Sequence, residues 1–411
     1  MLVPSIDIMD GKVVQLRQGQ ELVLTIDRDP VELARELNRY GEICVIDLDA
    51  AMGKGNNFAL VKQILKAADC RVGGGIRDVE TATALLKAGA RRLIFGTAAS
   101  PELMGKFAPQ FCMVALDNRN GEVVDRGWQN RTGESVIDRA NRLSDYCNSF
   151  LLTFVETEGS MHGMDVETAA DLARSLPKPL TVAGGVRSTE EVTELARRGI
   201  DAQVGMALYT GAIDPATAFA ESVSCNADGL IPTIVQDERG NVLMLAYSSK
   251  DSLIFALSRG VGAYFSRSRL ELWEKGLTSG ATQELISCRT DCDRDAVIFT
   301  VRQKKKACHT GAYSCFDQSS PTKPFTIDGL FDTLKARKSC LPENSYSAKL
   351  FRDRSLLESK LREELEEVIS FSSKDNLRWE IADLIFFLSA LAVDEGIEWK
   401  DIELELKARA K

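Results

Sequence analysis

Histidine is nearly missing from this chain: His162 and His309 are the only two among 411 residues. What metal-ligating chemistry there is falls to ten cysteines and the carboxylates. Positive charge is short as well. A net charge of −9 leaves no basic face to neutralise phosphates, which excludes a general nucleic-acid binder. The one basic run, Lys304 to Lys306, reads as a solvated turn. No stretch approaches the ~18 apolar residues of a membrane span, and "MLVPSIDIMDGK" has neither a basic leader nor a cleavage site. The cysteines are scattered rather than framed for disulfides, so a reducing, cytoplasmic setting is expected. The length exceeds what one core usually serves, which predicts two or three domains.

What is present begins with a repeat. "SIDIMDGKVV" from Ser5 returns as "ALDNRNGEVV" from Ala115, and "VGGGIRDVETATALLKAGA" returns as "VAGGVRSTEEVTELARRGI". Both pairs are offset by 110 residues, placing Asp7 over Asp117 and Gly74-Gly75 over Gly184-Gly185. "FGTA" at Phe95 recurs as "VGMA" at Val204, one residue out of step. Three blocks repeated in order indicate a duplicated half-domain. Apolar runs beginning near Leu2, Ile43, Arg71, Leu93, Phe111, Phe150, Leu180 and Ala202 alternate with amphipathic stretches. Over about 220 residues this predicts a (β/α)8 TIM barrel, whose active site lies at the C-terminal strand ends.

At those ends stand Asp7, Asp47, Gly74, Gly96, Asp117, Thr153, Gly184 and Gly205. Gly74, Gly75, Gly96, Thr97, Gly184, Gly185 and Gly205 would let backbone amides and helix N-termini approach phosphate at two opposed sites. A ligand with a phosphate at each end fits, with Asp7 and Asp117 facing its middle as acid and base. The segments "VPSIDIMDGKVVQLRQG", "VGGGIRD", "ALDNRNGEVVDRGW" and "ALYTG" resemble the ProFAR isomerases of histidine biosynthesis. The resemblance implies an Amadori rearrangement of an aminoaldose to an aminoketose (ProFAR to PRFAR), with Asp7 as base and Asp117 as acid. It also implies that Ser160 stands for the family's threonine before the strand-6 loop.

Turn composition at "SVSCNADG" (Ser222 to Gly229) closes the barrel pattern. Strand-like "LIPTIVQDERGNVLMLAYSS" follows, with "ERGN" as a hairpin turn. Arg267, Arg269, Lys275, Thr278 and Ser279 offer donors for an anion. In "TDCDRDA", an extended backbone would put Asp291, Asp293 and Asp295 on one face, suiting Mg²⁺, with Cys292 on the other. Cys292, Cys308 and Cys315 offer soft ligands for Zn²⁺ with a fourth position left for water, and His309 could move a proton there. "SRSRLELWEKGLTSG", "TDCDRDA" and "ACHTGAYSCF" together resemble phosphoribosyl-AMP cyclohydrolase. That implies hydrolysis of the purine ring between N1 and C6 with a metal-activated water, and a homodimer whose zinc sites take cysteines from both chains.

"SSPTKP" (Ser319 to Pro324) reads as a linker before an all-α segment. "SLLESKLREELEEVISF" carries Leu357, Leu361, Leu365 and Val368 on one face and Glu364 and Glu367 on another. "NLRWEIADLIFFLSALAV" repeats the device with Glu380 and Asp383, so four carboxylates could cage Mg²⁺, with Glu363 a further ligand or base. This stretch resembles phosphoribosyl-ATP pyrophosphohydrolase, with Phe387 where many relatives have histidine. The expected architecture is therefore multidomain: a ProFAR isomerase-like barrel at 1–222, a small α+β, mostly β cyclohydrolase domain at 226–318, and a helical pyrophosphohydrolase domain at 325–411. Its partners would be small phosphoribosyl nucleotides. Two other readings use the same residues: a barrel serving only as scaffold or regulatory module, and helices forming a general nucleotide-cleansing pyrophosphohydrolase.

Overall fold

Short β-rich runs become the staves of a closed parallel barrel. They are Leu2–Met9, Ile43–Asp47, Cys70–Gly73, Arg92–Phe95, Cys112–Arg119, Ser149–Phe154, Leu180–Ala183 and Asp201–Val204, each within a residue of its predicted start. Pairing runs in sequence order, and the ring closes between Leu2–Met9 and Asp201–Val204. Val3, Cys44, Ile94, Met113, Leu151 and Ala183 fill an interior layer. Below it, at the N-terminal end, the Arg71 guanidinium is 2% exposed and donates to Glu42 Oε2 at 2.7 Å and to Thr181 Oγ1 at 2.9 Å. Thr181 is the repeat mate of Arg71, so the two halves tie together across the axis where a lone buried cation would be costly.

The computed structural model describes residues 1–317 and 324–409, which divide into two units. Apart from Pro324, the linker read at Ser319 to Pro324 lies outside the described residues. The barrel belongs to the first unit. Two antiparallel hairpins over its mouth were not expected from the sequence: Lys12–Arg17 with Glu21–Ile26, and Glu122–Asp125 with Asn130–Ser135. They too repeat at the 110-residue offset. Their outer strands are partly exposed with no clean alternation, so they carry no period-2 signal. The hairpin tips meet: at Gly19, with φ of +65°, a Cβ would come within 2.8 Å of the Trp128 ring.

The same unit continues into a four-stranded sheet ordered Val242–Ser248, Ile231–Asp237, Val297–Gln303 and Gln283–Thr290. The turn expected at Glu238 to Asn241 joins its first hairpin. Helix Lys250–Arg259 and the ribbon Ala263–Ser266/Glu271–Glu274 complete this segment. It docks on the N-terminal end of the barrel. Lys250 Nζ pairs with Glu221 at 2.6 Å, and the carbonyl of Cys288 faces Gly41, just before the second barrel strand. The Arg39 guanidinium lies over Gly260, leaving no room for a Cβ.

The second unit is helical: Ile327–Cys340, Tyr346–Arg352, Arg354–Ile369, Lys374–Asp394 and Trp399–Arg409. Phe331, Leu334, Leu350, Leu357, Phe387, Ala390 and Val393 form its core. The predicted stripe on the third helix is only half used: Leu357 is fully buried, whereas Leu365 is 49% exposed. Among the described residues no helix is long and apolar enough to cross a membrane.

Candidate active sites

Every barrel residue singled out from the sequence, Asp47 and Ser160 excepted, lines one cavity of about 290 Å³ at the C-terminal mouth; the Asp47 carboxylate instead accepts from the Ala50 amide and from Asn57. Asp7, Asp117, Gly74, Gly75, Gly96, Thr97, Gly184, Gly185 and Gly205 all face it. The duplicated glycines are required by space. A Cβ at Gly74 would sit 2.2 Å from the Asp47 carbonyl oxygen, and one at Gly184 would sit 2.4 Å from that of Phe154. Both have positive φ. The helices beyond them, Val79–Ala88 and Thr189–Arg197, are capped by Asp78 and Ser188. Two equivalent backbone cradles therefore flank the cavity. Ser160 points elsewhere, its hydroxyl donating to the Thr157 carbonyl at 2.7 Å.

Asp7 accepts from Ser5 Oγ at 3.0 Å and from Gln15 Nε2 at 3.3 Å. Burial nevertheless raises its pKa to about 6. Burial also raises Asp117, opposed by hydrogen bonds from the Trp128 and Thr153 side chains. A third carboxyl, unread from the sequence, completes the group. Glu158 follows the sixth strand, and its pKa is raised to about 7, first by burial and then by the charge on Asp7, against the amides of Gly19 and Gln18. Its Oε2 is buried with no hydrogen-bond partner, and the residue lines the cavity. Nothing in "VETEGS" marks Glu158, because its environment is made by the distant first hairpin.

In the docked segment, Lys275, Thr278, Ser279, Cys308 and His309 share a second cavity with Trp273, Lys305 and Lys306. The three lysines read as a solvated turn are exposed, yet two of them, Lys305 and Lys306, border this site. Cys308 and Cys315 are neighbours. Cys308 has its thiol lowered, mainly by the Thr310 hydroxyl at 3.1 Å, while burial raises Cys315. Lys275 Nζ donates to the Ala307 carbonyl at 2.6 Å, and its burial lowers it. His309 Nδ1 lies 3.9 Å from the Cys308 sulfur. Arg267 and Arg269 stay outside: Arg267 stacks 4.0 Å over the Tyr247 ring, and Arg269 pairs with Glu271.

Asp291, Asp293 and Asp295 do converge, one oxygen of each lying within 4.8 Å of the others. The backbone is not the expected extended one. Asp291 Oδ1 accepts the amides of Asp295 and Ala296, closing a bent hairpin loop. Exposed Cys292 is not gathered with Cys308 and Cys315 into a three-ligand group within one chain. On the helices, Glu364, Glu367 and Glu380 form the second carboxylate cluster. Burial and then Asp383 raise Glu364, while burial and then Glu380 raise Glu367. Glu363 is turned away to Lys360 at 2.7 Å. Phe387 is 5% exposed, a core residue in edge contact with Phe386.

Three families match in order. Residues 1–214 match the family described as histidine biosynthesis protein, 244–317 phosphoribosyl-AMP cyclohydrolase, and 327–410 phosphoribosyl-ATP pyrophosphohydrolase. The histidine biosynthesis trifunctional protein of Neurospora crassa is 43% identical over 183 residues, 44% of this chain and 20% of that protein. The histidine biosynthesis bifunctional protein HisIE of Thermotoga maritima is 39% identical over 197 residues, 44% of this chain and 98% of the relative. The 1-(5-phosphoribosyl)-5-((5-phosphoribosylamino)methylideneamino)imidazole-4-carboxamide isomerase of Archaeoglobus fulgidus is 37% identical over 219 residues, 51% of this chain and 92% of the relative. The match spans about a fifth of the length of the trifunctional relatives.

Proposed function

Because the chain belongs to the histidine biosynthesis protein family, we propose that it carries three activities of that pathway. The helical unit would release pyrophosphate from phosphoribosyl-ATP, the docked segment would open the purine ring of phosphoribosyl-AMP, and the barrel would isomerise the ProFAR so formed. The observation that carries the isomerase reading is the cavity in which Asp7, Asp117 and Glu158 lie between two glycine cradles. Incubating the purified chain with phosphoribosyl-ATP, Mg²⁺ and Zn²⁺ should yield pyrophosphate, ProFAR and then PRFAR in succession. Accumulation of ProFAR without PRFAR would leave the barrel a scaffold.

The carboxyls divide the work by their surroundings. Asp7, ionised above about pH 6, suits the base that takes the C2 proton of the opened sugar. Side-chain donors face Asp117 and favour its anion. Glu158, whose Oε2 has no hydrogen-bond partner and which is protonated up to about pH 7, suits the acid that gives its proton to the ring oxygen as the C1–O bond breaks. Protonation of Asp7 stops the reaction on the acid side and ionisation of Glu158 on the alkaline side. The isomerase kcat/KM should therefore rise through about pH 6 and fall through about pH 7, values belonging to the coupled pair. Glu158→Gln should lower kcat about a hundredfold and remove the alkaline limb. A variant that keeps that limb would return the acid role to Asp117.

Oxygen atoms converging at Asp291, Asp293 and Asp295, and again at Glu364, Glu367 and Glu380 with Asp383 beside them, suit Mg²⁺. Cys308 and Cys315 suit two ligands of Zn²⁺, with Cys292 from a second copy as the third. Bound there, the metals would supply Lewis acidity and a more acidic water. His309, beside Cys308, would hold the moving proton, while Lys275, Thr278 and Ser279 would orient the nucleotide phosphate. Exposed Leu245, Leu270, Leu277 and Phe316 on this segment, and Ile369 and Trp379 on the helices, support a homodimer. The reading includes a cytoplasmic location.

A further inference from the structure

In the loop from Asp291 to Asp295 every residue is exposed except Arg294, whose side chain is 15% exposed. A cation between acidic neighbours would ordinarily fold back on them. Instead its guanidinium crosses to the base of the barrel, where Nη1 donates to the Ala196 carbonyl and Nη2 to Asp201 Oδ1 at 3.3 Å. Ala196 lies in the last turn of the helix before the last barrel strand, and Asp201 begins that strand. The backbone is gripped as well. The Arg294 carbonyl accepts the Ser224 amide at 2.7 Å, from the segment that leaves the barrel. Arg294 has φ of +64°, a left-handed conformation that a non-glycine residue keeps only where its surroundings impose it.

With Arg294 turned inward, the flanking groups are displayed outward. Asp291, Cys292, Asp293 and Asp295 are all exposed, and none of the three aspartates forms an ion pair among the described residues. The charge of Asp293 raises Asp295, as expected of carboxylates left without a counter-ion. The barrel thus supplies acceptors that draw the one cation of residues 291–295 away from the three aspartates.

We propose that Arg294 is a positioning residue for ring opening: it clamps the ligand-bearing loop to the barrel, so the barrel is a structural support of the cyclohydrolase site. The proposal rests on the cyclohydrolase reading of the domain expected at 226–318. Groups that hold metal ligands in place commonly govern them by ten- to a hundredfold.

The test compares the full chain with Arg294→Ala and Arg294→Lys, using hydrogen exchange of the metal-free protein and kinetics with Zn²⁺ and Mg²⁺ added. In Arg294→Ala, exchange at the Ser224, Asp295 and Ala296 amides should rise at least about tenfold while barrel-mouth amides and isomerisation stay unchanged. Ring-opening kcat should fall about tenfold at nearly constant KM. Lysine reaches one of the two acceptors and should recover most of both losses. Unchanged exchange in Arg294→Ala overturns the clamp, and faster exchange with full ring opening overturns its catalytic bearing. A parent chain that isomerises ProFAR yet never opens phosphoribosyl-AMP refutes the cyclohydrolase reading, and the positioning role falls with it.

Discussion

Asp7→Asn is expected to lower ProFAR isomerisation about a thousandfold while leaving ring opening and pyrophosphate release untouched. Asparagine is isosteric: its amide oxygen can accept from Gln15 Nε2, 3.3 Å from the native carboxylate, while the Ser5 hydroxyl, at 3.0 Å, can turn to accept from the amide nitrogen, so the cavity should keep its shape. What disappears is the proton-accepting charge. Substrate affinity should change little, because the cradles at Gly74-Gly75 and Gly184-Gly185 grip the far ends of the ligand, and the loss belongs in kcat. A variant that retains turnover would remove Asp7 from the base role. If Asp117→Asn costs less than Asp7→Asn, the stronger claim of Glu158 on the acid role follows.

The second large effect is expected at the other end of the chain. Glu380→Gln should reduce pyrophosphate release from phosphoribosyl-ATP at least about a hundredfold. It should also raise the unfolding temperature of the helical unit when metal is chelated. Glu364 and Glu380 are 7% and 9% exposed; burial raises the carboxyls of Glu364 and Glu367, and the neighbouring charges of Asp383 and Glu367 on the first and of Glu380 on the second raise them further. Removing one like charge relieves that repulsion, and the amide still accepts from Asn376 Nδ2. Loss of activity together with gain of metal-free stability is the signature of a ligand cage. Mere solvated glutamates would leave both readouts unmoved. Preferential cleavage of dTTP or dCTP over phosphoribosyl-ATP by the parent chain would favour the nucleotide-cleansing alternative.

The legible parts of this protein were those with a local period or a repeat. The staves announced themselves through apolar runs, and the duplicated glycines announced the cradles because their backbone needs no side chain. Helical spacing placed Glu364, Glu367 and Glu380 on adjoining faces, and they meet. What stayed hidden depends on distant chain. Glu158 acquires its character from burial beneath the first hairpin, whose outer strand shows no alternation. Ser160 kept the right functional group, but the loop turns it into a local hydrogen bond. Glu363 shares a helical turn with the cage, yet Lys360, three residues away, captures it. The triad of aspartates was read correctly as a cluster and wrongly as a strand. Asp291 caps its own loop, and Arg294 answers to a barrel about a hundred residues earlier in the chain.

The segment of residues 226–317 is docked at the N-terminal end of the barrel, whereas Asp7 and Glu158 stand at the C-terminal mouth. The packed layer of Val3, Cys44, Ile94, Met113, Leu151 and Ala183, with Arg71 beneath it, plugs the axis between the two ends. On the proposed function, a product leaving the second cavity would find no axial tunnel to the first among the described residues and would enter solvent, where any copy of the barrel could capture it. On that reading, fusion would fix the ratio of the two catalysts and secure their joint synthesis. The flux between them would then be set by diffusion and by the protein's own concentration.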